Sequence, residues 1–175
     1  FAAFGRRWAD PEIGSWVDVD GAAGTAAAVD HLVALGHRRL AFVGWPAGSG
    51  VGDDRLAGFE RAARNRGVEV TGIERGDNDH ATGARLGRRL LQAATAPTAI
   101  VAVSDDLAIG VDAAIRSEGG TTGRDVSLVG FDDLQGVNTI PRLTSVSHRL
   151  DDIGAAAVEL ALRMVDHPEQ MPNLR

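Results

Sequence analysis

Cysteine and lysine are both absent from the 175 residues of the chain. Without cysteine there is no disulfide framework, no zinc–thiolate site and no cysteine nucleophile. Because all 18 basic residues are arginine, a P-loop lysine, a Schiff-base lysine and a kinase-type lysine are excluded as well. The sequence also lacks any run of about 18 apolar residues, so we expect no membrane span and no membrane partner.

Size and charge restrict the class of protein further. A chain of 175 residues with 44% apolar and 24% charged types has the composition of one globular domain with a sizeable core. The net charge of −6 makes these residues by themselves a poor surface for nucleic acid. Since the chain begins at Phe1 without methionine, we expect it to be part of a longer protein.

Short β-rich runs alternate with longer helical patterns along the chain. Residues 39–43 (RLAFV) and 99–103 (AIVAV) are typical of buried parallel strands. Helical apolar spacing is found over residues 22–35 and 105–117, among others. This alternation predicts an α/β fold in which right-handed βαβ units build a parallel sheet with helices on both faces.

Polar residues follow four of the predicted strands, where an open α/β sheet binds its ligands. They are acids, an amide, hydroxyls, one arginine and one aromatic ring: Ser49, Asp53, Asp54, Arg55, Asp77, Asn78, Asp79, Ser104, Asp105, Asp106, Phe131, Asp132 and Asp133. Carboxylates accept hydrogen bonds from hydroxyls, arginine donates in a fork and a ring covers an apolar sugar face, so the set suits a polyhydroxylated ligand. Asp53 and Asp105 are equally well placed to cap helices.

Several enzyme-like patterns are present only in part. Residues 48–52 have the spacing G-x-G-x-G, which differs from the dinucleotide-binding G-x-G-x-x-G. Ser49 is not in a G-x-S-x-G elbow, because residue 47 is alanine. The five histidines lack metal-ligand spacing, and His37, after the helix-ending Gly36, is expected to act structurally at that terminus. We therefore expect no enzyme, no metal and no cofactor.

Five segments resemble, in order and spacing, segments of the lactose-repressor (LacI/GalR) family of bacterial transcription regulators. They are residues 31–44 (HLVALGHRRLAFVG), 55–59 (RLAGF), 102–110 (AVSDDLAIG), 125–133 (DVSLVGFDD) and 141–146 (PRLTSV). Each segment alone is a weak signal, but together the matches occur across almost the whole chain and are highly specific.

The resemblance implies a periplasmic-binding-protein-like type I fold of two subdomains. Residues 1–37 then form part of the N-subdomain, and residues 38–146 form nearly all of the C-subdomain. Residues 147–167 return to the N-subdomain, and residues 168–175 start a C-terminal segment. The resemblance also implies a DNA-binding headpiece outside these residues.

The same resemblance assigns roles to residues of the site. Arg55, expected at the site rim, matches the family's ligand-gripping arginine, and Asp132 matches its ligand-binding aspartate. Ser49 falls in the effector-facing loop. Asn78 stands where sugar-binding members often have a stacking aromatic, and Ser104 stands where the family usually has asparagine, so the identity of the ligand stays open between sugars, purines and nucleosides. The predicted effector-binding residues are Arg55, Asp132, Ser49, Asn78, Ser104, Asp105 and Phe131.

The leading hypothesis is the effector-sensing domain of a cytoplasmic regulator. A sugar or similar small polar metabolite would alter operator DNA binding by a homodimer, with part of the interface on residues 105–117 and the segment after Asp133. Leu107, Ile109, Val111 and Ile115 are more apolar residues than one buried helix stripe needs, which favours a second covered face. The alternatives are a periplasmic or secreted sugar-binding protein of a transport system, and an enzyme on the same scaffold.

Overall fold

The computed structural model of the chain describes residues 2–5, 15–134 and 143–167. In chain order the elements are β1 (Ala2–Phe4), β2 (Ser15–Val17), α1 (Gly21–Ala34), β3 (Arg39–Gly44), α2 (Gly50–Asn65), β4 (Glu69–Arg75), α3 (His80–Leu91), β5 (Ala99–Ala102), α4 (Asp105–Ser117), β6 (Ser127–Asp132), β7 (Thr144–Ser147) and α5 (Leu150–Asp166). Of the segments named from the sequence, residues 1 and 6–14 of segment 1–37, residues 135–142 of segment 38–146 and residues 168–175 lie outside the described residues.

The chain divides into two compact units, one of residues 1–20 and 148–175 and the other of residues 21–147. The boundary predicted from the sequence lies after residue 37 instead. The difference is α1, which packs along α2 of the larger unit. The two helices approach so closely that a Cβ atom at Gly58 would lie 2.2 Å from the carbonyl oxygen of Ala22. This packing groups α1 with the strands that follow it.

The larger unit is a parallel sheet of five strands in the order β4-β3-β5-β6-β7. The step from β3 to β4 goes toward one edge of the sheet. The steps from β4 to β5 and from β5 to β6 go toward the other edge. Right-handed crossovers therefore place α2 on one face of the sheet, and α3 and α4 on the other. The predicted α/β fold with a parallel sheet is confirmed.

The core lies along the two central strands. Every residue from Leu40 to Val43 and from Ala99 to Val103 is at most 1% exposed, as expected of strands covered on both faces. Helices α3 and α4 meet through glycines: a Cβ at Gly83 would lie 2.4 Å from the carbonyl oxygen of Leu107, and one at Gly110 would lie 2.2 Å from that of His80. Side chains are excluded at this crossing.

The smaller unit pairs β1 and β2 in parallel and packs α5 beside both strands. Leu160 of α5 is fully buried, and Trp16 and Val17 of β2 are 9% and 4% exposed. Along the rest of α5, large apolar side chains are exposed, including Val158 and Val165. Within the described ranges, no helix is both long enough and apolar enough to cross a membrane.

His37 connects the end of α1 to the starts of two strands. It follows Gly36, whose φ of +95° ends the helix in the left-handed region. The ring reaches across the sheet: Nδ1 lies 3.0 Å from Oγ1 of Thr98, and Nε2 lies 2.9 Å from Oγ of Ser127. His37 therefore has a structural role, in which its ring links the end of α1 to the starts of β5 and β6. Burial lowers the pKa of His37 below its usual 6.5, and the nearby His31 lowers it further.

This lowered pKa predicts an acid-sensitive contribution to stability. The unfolded chain, whose histidine has the ordinary pKa of about 6.5, binds a proton more readily than the folded chain does. The contribution of neutral His37 is thus fully present above about pH 6.5 and is lost as the pH falls toward the folded pKa. Denaturant unfolding between about pH 7.5 and 5 should show a shallower decline for His37→Asn than for wild type. Parallel declines would contradict this prediction.

Candidate functional site

The strand order places a topological switch point at the carboxyl ends of β3 and β5. The chain leaves these neighbouring strands in opposite directions, and such a switch point is where open α/β sheets bind ligands. Trp45 follows β3 directly, and Ser104 follows β5 after one residue. Asp132 ends the next strand, β6, and Arg55 enters from α2. We call this region the carboxyl edge.

Arg55 is the central charged group of the carboxyl edge, and only 3% of it is exposed. Its Nη1 donates to the carbonyl oxygen of Val103 at 2.5 Å and lies 3.3 Å from Oδ1 of Asp132. The guanidinium carbon lies 3.6 Å from the ring centroid of Phe131 and 5.4 Å from that of Trp45. The sequence predicts Arg55 at the site rim, but the structure holds it beneath the surface with a fixed orientation.

Phe131 lies beneath the arginine and is fully buried. A Cβ atom at Gly24 of α1 would lie 2.7 Å from its ring, so the ring is confined between that helix and the guanidinium. Stacking a cation on a desolvated ring stabilises both groups. Among the predicted effector-binding residues, Phe131 is therefore placed to support Arg55, and its ring faces the protein interior.

Asp132 belongs to a strained turn at the end of β6. Its φ is 109° and that of Asp133 is 52°, values that side-chain-bearing residues seldom adopt. Such strain persists only where the surroundings impose it, and it clusters at functional sites. The side chain of Asp132 is 22% exposed, so one carboxylate beside a buried guanidinium faces the solvent at this edge.

Asp105, also predicted to bind effector, holds that turn in place. It is 1% exposed, and its two oxygens accept hydrogen bonds from Ser145 Oγ at 2.7 Å and from the Leu134 amide at 2.9 Å. Gly130 makes room for it, because a Cβ there would lie 2.2 Å from Oδ1. Burial raises the pKa of Asp105, although these two hydrogen bonds act against the rise. Its role in this structure is to join β6, β7 and the turn after Asp132.

Asn78 and Ser104 meet on the β4 side of the carboxyl edge. Ser104 is fully buried, and its hydroxyl accepts from the Leu107 amide as the N-cap of α4. The same hydroxyl donates to Oδ1 of Asn78 at 2.5 Å. That amide oxygen also accepts from Nε1 of Trp45 at 2.9 Å. The two predicted residues thus share a hydrogen-bond network with Trp45, which is not among the residues predicted to bind effector.

Trp45 could have been found from the sequence by its position alone. It is a bulky aromatic placed directly after a buried strand, where the chain turns toward a glycine-rich loop. Only the tertiary contacts show its relation to the site, because Arg55 and Asn78 come from α2 and from the loop after β4.

Ser49 and Asp53 organise the loop that enters α2. Ser49 Oγ accepts from the Gly52 amide at 3.3 Å as the N-cap of the helix. Asp53 accepts from the Gly48 amide at 2.9 Å and from Nη1 of Arg75 at 2.6 Å, and this arginine lowers the pKa of the Asp53 carboxyl. The structure thus gives Ser49 a capping contact and does not join it to the Arg55 cluster through any described hydrogen bond. In the described part of the chain, no group of three or more acidic or histidine side chains is placed to hold a metal ion.

The fold and these edge residues match a known family. A family model described as a periplasmic binding protein-like domain matches residues 29–175. The lactose operon repressor of Escherichia coli (strain K12) is 31% identical over 142 residues, which make up 81% of this chain and 39% of the repressor. The chain belongs to the periplasmic binding protein-like family, of the LacI/GalR type.

Solved structures agree with this LacI/GalR-type assignment. A regulatory protein of the LacI family from Chloroflexus aggregans aligns with a TM-score of 0.88 at 37% identity, covering 99% of this chain and 64% of that one. The lac repressor dimer bound to operator and the anti-inducer ONPF aligns with a TM-score of 0.83 at 28% identity, covering 91% and 56%. The chain therefore spans less than two thirds of the length of these relatives.

The resemblance found in the sequence is confirmed by these matches. The chain matches part of the effector-binding domain of LacI-family proteins, and the relatives compared with it include transcriptional regulators. They do not favour the alternative of a sugar-binding protein of a transport system.

Proposed function

We propose that the LacI/GalR-type domain binds a sugar or a similar small polar metabolite at its carboxyl edge and thereby changes the affinity of the full-length protein for operator DNA. In this proposal the protein is a cytoplasmic homodimer, binds DNA through a headpiece outside these residues and catalyses no reaction. The observation that carries the proposal is the fixed, buried Arg55 beside the partly exposed carboxylate of Asp132.

The chemistry of the carboxyl edge supports a ligand with several hydroxyl groups. Asp132 and Asp106 present carboxylate oxygens, which accept hydrogen bonds from neighbouring hydroxyls. Arg55 is held by two rings and the Val103 carbonyl, so its guanidinium needs little rearrangement when a ligand arrives. Trp45 adds an aromatic surface beside these charges.

Calorimetric titration of the full-length protein tests this proposal. The probes are D-galactose, D-glucose, lactose, cellobiose and, as a ligand of another class, adenosine. Asp132→Asn keeps the shape of the side chain but removes a charged hydrogen bond, typically worth about 1.5–3 kcal/mol. We expect the bound saccharide to lose about ten- to a hundred-fold in affinity.

The matched control for this titration is Asp30→Asn, which changes an exposed carboxylate paired with Arg66 on the surface. Its affinity for the same saccharide should equal that of wild type. Equal affinities of wild type and Asp132→Asn would remove Asp132 from the site. A wild-type protein that binds none of the saccharides would overturn the proposed ligand class.

The proposed homodimer places α4 in the interface. Leu107, Val111 and Ile115 are buried within the larger unit, whereas Ile109 is only partly buried and lies on another face of the helix. The dimeric lac repressor, to which this chain is similar, supports two-fold association. Of the segment after Asp133 that was also predicted to take part, residues 135–142 lie outside the described residues.

Ile109→Asp is expected to weaken this dimer. A two-fold interface contains the substitution twice, so each partner would bury an added carboxylate. Burial of an unpaired charge costs several kcal/mol, which exceeds what a marginal interface tolerates. Light scattering at micromolar concentration should give the monomer mass, with Ala57→Asp on the exposed face of α2 remaining dimeric. A dimeric Ile109→Asp protein would place the interface elsewhere.

A further inference from the structure

Trp45 is fixed at three points although it lies at the surface end of a strand. Its Nε1 donates to Oδ1 of Asn78 at 2.9 Å, and its ring lies beneath the guanidinium carbon of Arg55 at 5.4 Å. Its Cβ and Cε3 atoms pack on Gly52, where an added Cβ would lie 3.3 and 3.2 Å away. The side chain is nonetheless only partly buried.

The hydrogen bonds around Trp45 are more than solvation requires. The N–H of a partly exposed indole can be satisfied by water. Here it is bonded to Asn78, whose oxygen is also bonded to the fully buried Ser104 hydroxyl. Ser104 in turn is anchored as the N-cap of α4. A chain of hydrogen bonds from the core of the unit thus determines the orientation of one surface ring.

The surroundings of the ring indicate what it is oriented toward. Trp45 lies at the switch point of the sheet, where it contacts Arg55 through its ring and Asn78 through its N–H group. Carboxylates border this region, with Asp132 at 3.3 Å from Arg55 and Asp106 at 3.4 Å from the Asn78 amide nitrogen. An indole ring with the Arg55 donor next to it and the Asp132 and Asp106 acceptors nearby suits a sugar ring, which has C–H groups on one face and hydroxyls around its rim.

We propose that Trp45 is the platform on which a saccharide ring stacks, and that Asn78 and Ser104 orient Trp45 instead of contacting the ligand. This inference rests on the proposed function and makes it more specific. It gives Asn78 and Ser104, both predicted to bind effector directly, the role of positioning residues. Trp45 becomes the specificity-determining residue of the carboxyl edge.

Substitutions at Trp45 separate its ring from its N–H group. With the saccharide that wild type binds best among D-galactose, D-glucose, lactose and cellobiose, Trp45→Ala should bind about ten- to a hundred-fold more weakly, because the stacking surface is gone. Trp45→Phe retains a ring and should lose less than about five-fold. The difference between the emission spectra of wild type and Trp45→Phe reports the fluorescence of Trp45. This difference should change when the saccharide is added.

A double-mutant cycle tests whether Asn78 acts through Trp45. Asn78→Ala and Trp45→Phe each break the same hydrogen bond, so the double variant should bind no more weakly than the worse single variant. Additive losses would instead mean that Asn78 contacts the ligand, and would overturn its positioning role. Leu35→Ala, an exposed apolar residue of the loop after α1, is the control and should bind like wild type.

The outcomes distinguish this inference from the proposed function. Saccharide binding that is equal in wild type and in a folded Trp45→Ala protein overturns the platform and leaves the proposed function standing. Binding of adenosine with no saccharide binding, or no binding of any probe by wild type, overturns both. Circular dichroism spectra identify any variant that fails to fold. If Trp45→Ala does not fold, the test is the emission change of the wild-type protein when the saccharide is added. The absence of that change overturns the platform.

Discussion

Arg55→Ala should lower the free energy of unfolding of the larger unit by about 2–4 kcal/mol, in addition to weakening effector binding. The substitution removes the buried Nη1 donor that contacts both the Val103 carbonyl and Asp132, and it empties the space beside the rings of Phe131 and Trp45. A buried carbonyl without its donor loses part of its solvation, and the rings lose packing. Because the Asp132 side chain is 22% exposed, water can solvate its carboxylate after Arg55 is removed. The loss of stability is therefore smaller than for a fully buried ion pair.

Denaturant unfolding followed by circular dichroism measures this effect. Arg55→Lys, which keeps the charge but not the planar fork, should fall between Ala and wild type. The matched control is Arg66→Ala, whose guanidinium pairs with Asp30 on the surface, and it should unfold nearly as wild type does. An Arg55→Ala midpoint equal to that of wild type would restore the sequence-based expectation that the position lies at a tolerant rim.

Gly110→Ala should destabilise the larger unit by about 2 kcal/mol, and Gly110→Val by more. Alanine is normally the better helix residue by about 1 kcal/mol, so propensity alone predicts the opposite sign. The added Cβ would however lie 2.2 Å from the carbonyl oxygen of His80 and 2.6 Å from the amide nitrogen of Ala84. Both atoms belong to the backbone of α3, so they can move away from the added Cβ only if the whole helix shifts. Separating α3 from α4 would also shift the start of α4, where Ser104 supports the site.

The control for this prediction is Gly154→Ala on α5. No atom lies within 4 Å of a Cβ placed there, so the ordinary helix preference should be seen as an unchanged or slightly raised stability. Thermal unfolding of both variants gives the two signs in one experiment. Stabilisation by Gly110→Ala would show that the two helices are farther apart than the structure has them.

The secondary structure and the motif positions followed from local patterns in the sequence. The predicted helix at residues 105–117 has the same bounds as α4, and the run at 39–43 forms all but the last residue of β3. Apolar periodicity and capping residues act between neighbours in the chain, and can therefore be read directly from it. The motif glycines were also visible, although the reason for Gly58 and Gly110 lies in helices that meet across the fold.

The unit boundary and the roles within the site required the tertiary structure. Helix α1 joins the larger unit because it packs on α2, and nothing in its own sequence specifies that partner. The sequence placed Arg55 and Asp132 in one site. Their contact joins two residues that are 77 positions apart in the chain, so neither the contact nor their burial can be read from local patterns.

Trp45 shows the same division between local and distant information. Its place after a strand is a local property, since the apolar run that precedes it is written in the neighbouring residues. Its link to Asn78, 33 residues away, exists only because β4 lies beside β3 in the sheet. The sequence by itself therefore determined which elements form and which residue types reach the carboxyl edge. The strand order decided which of them touch, because hydrogen bonds and stacking depend on distances that only the folded chain defines.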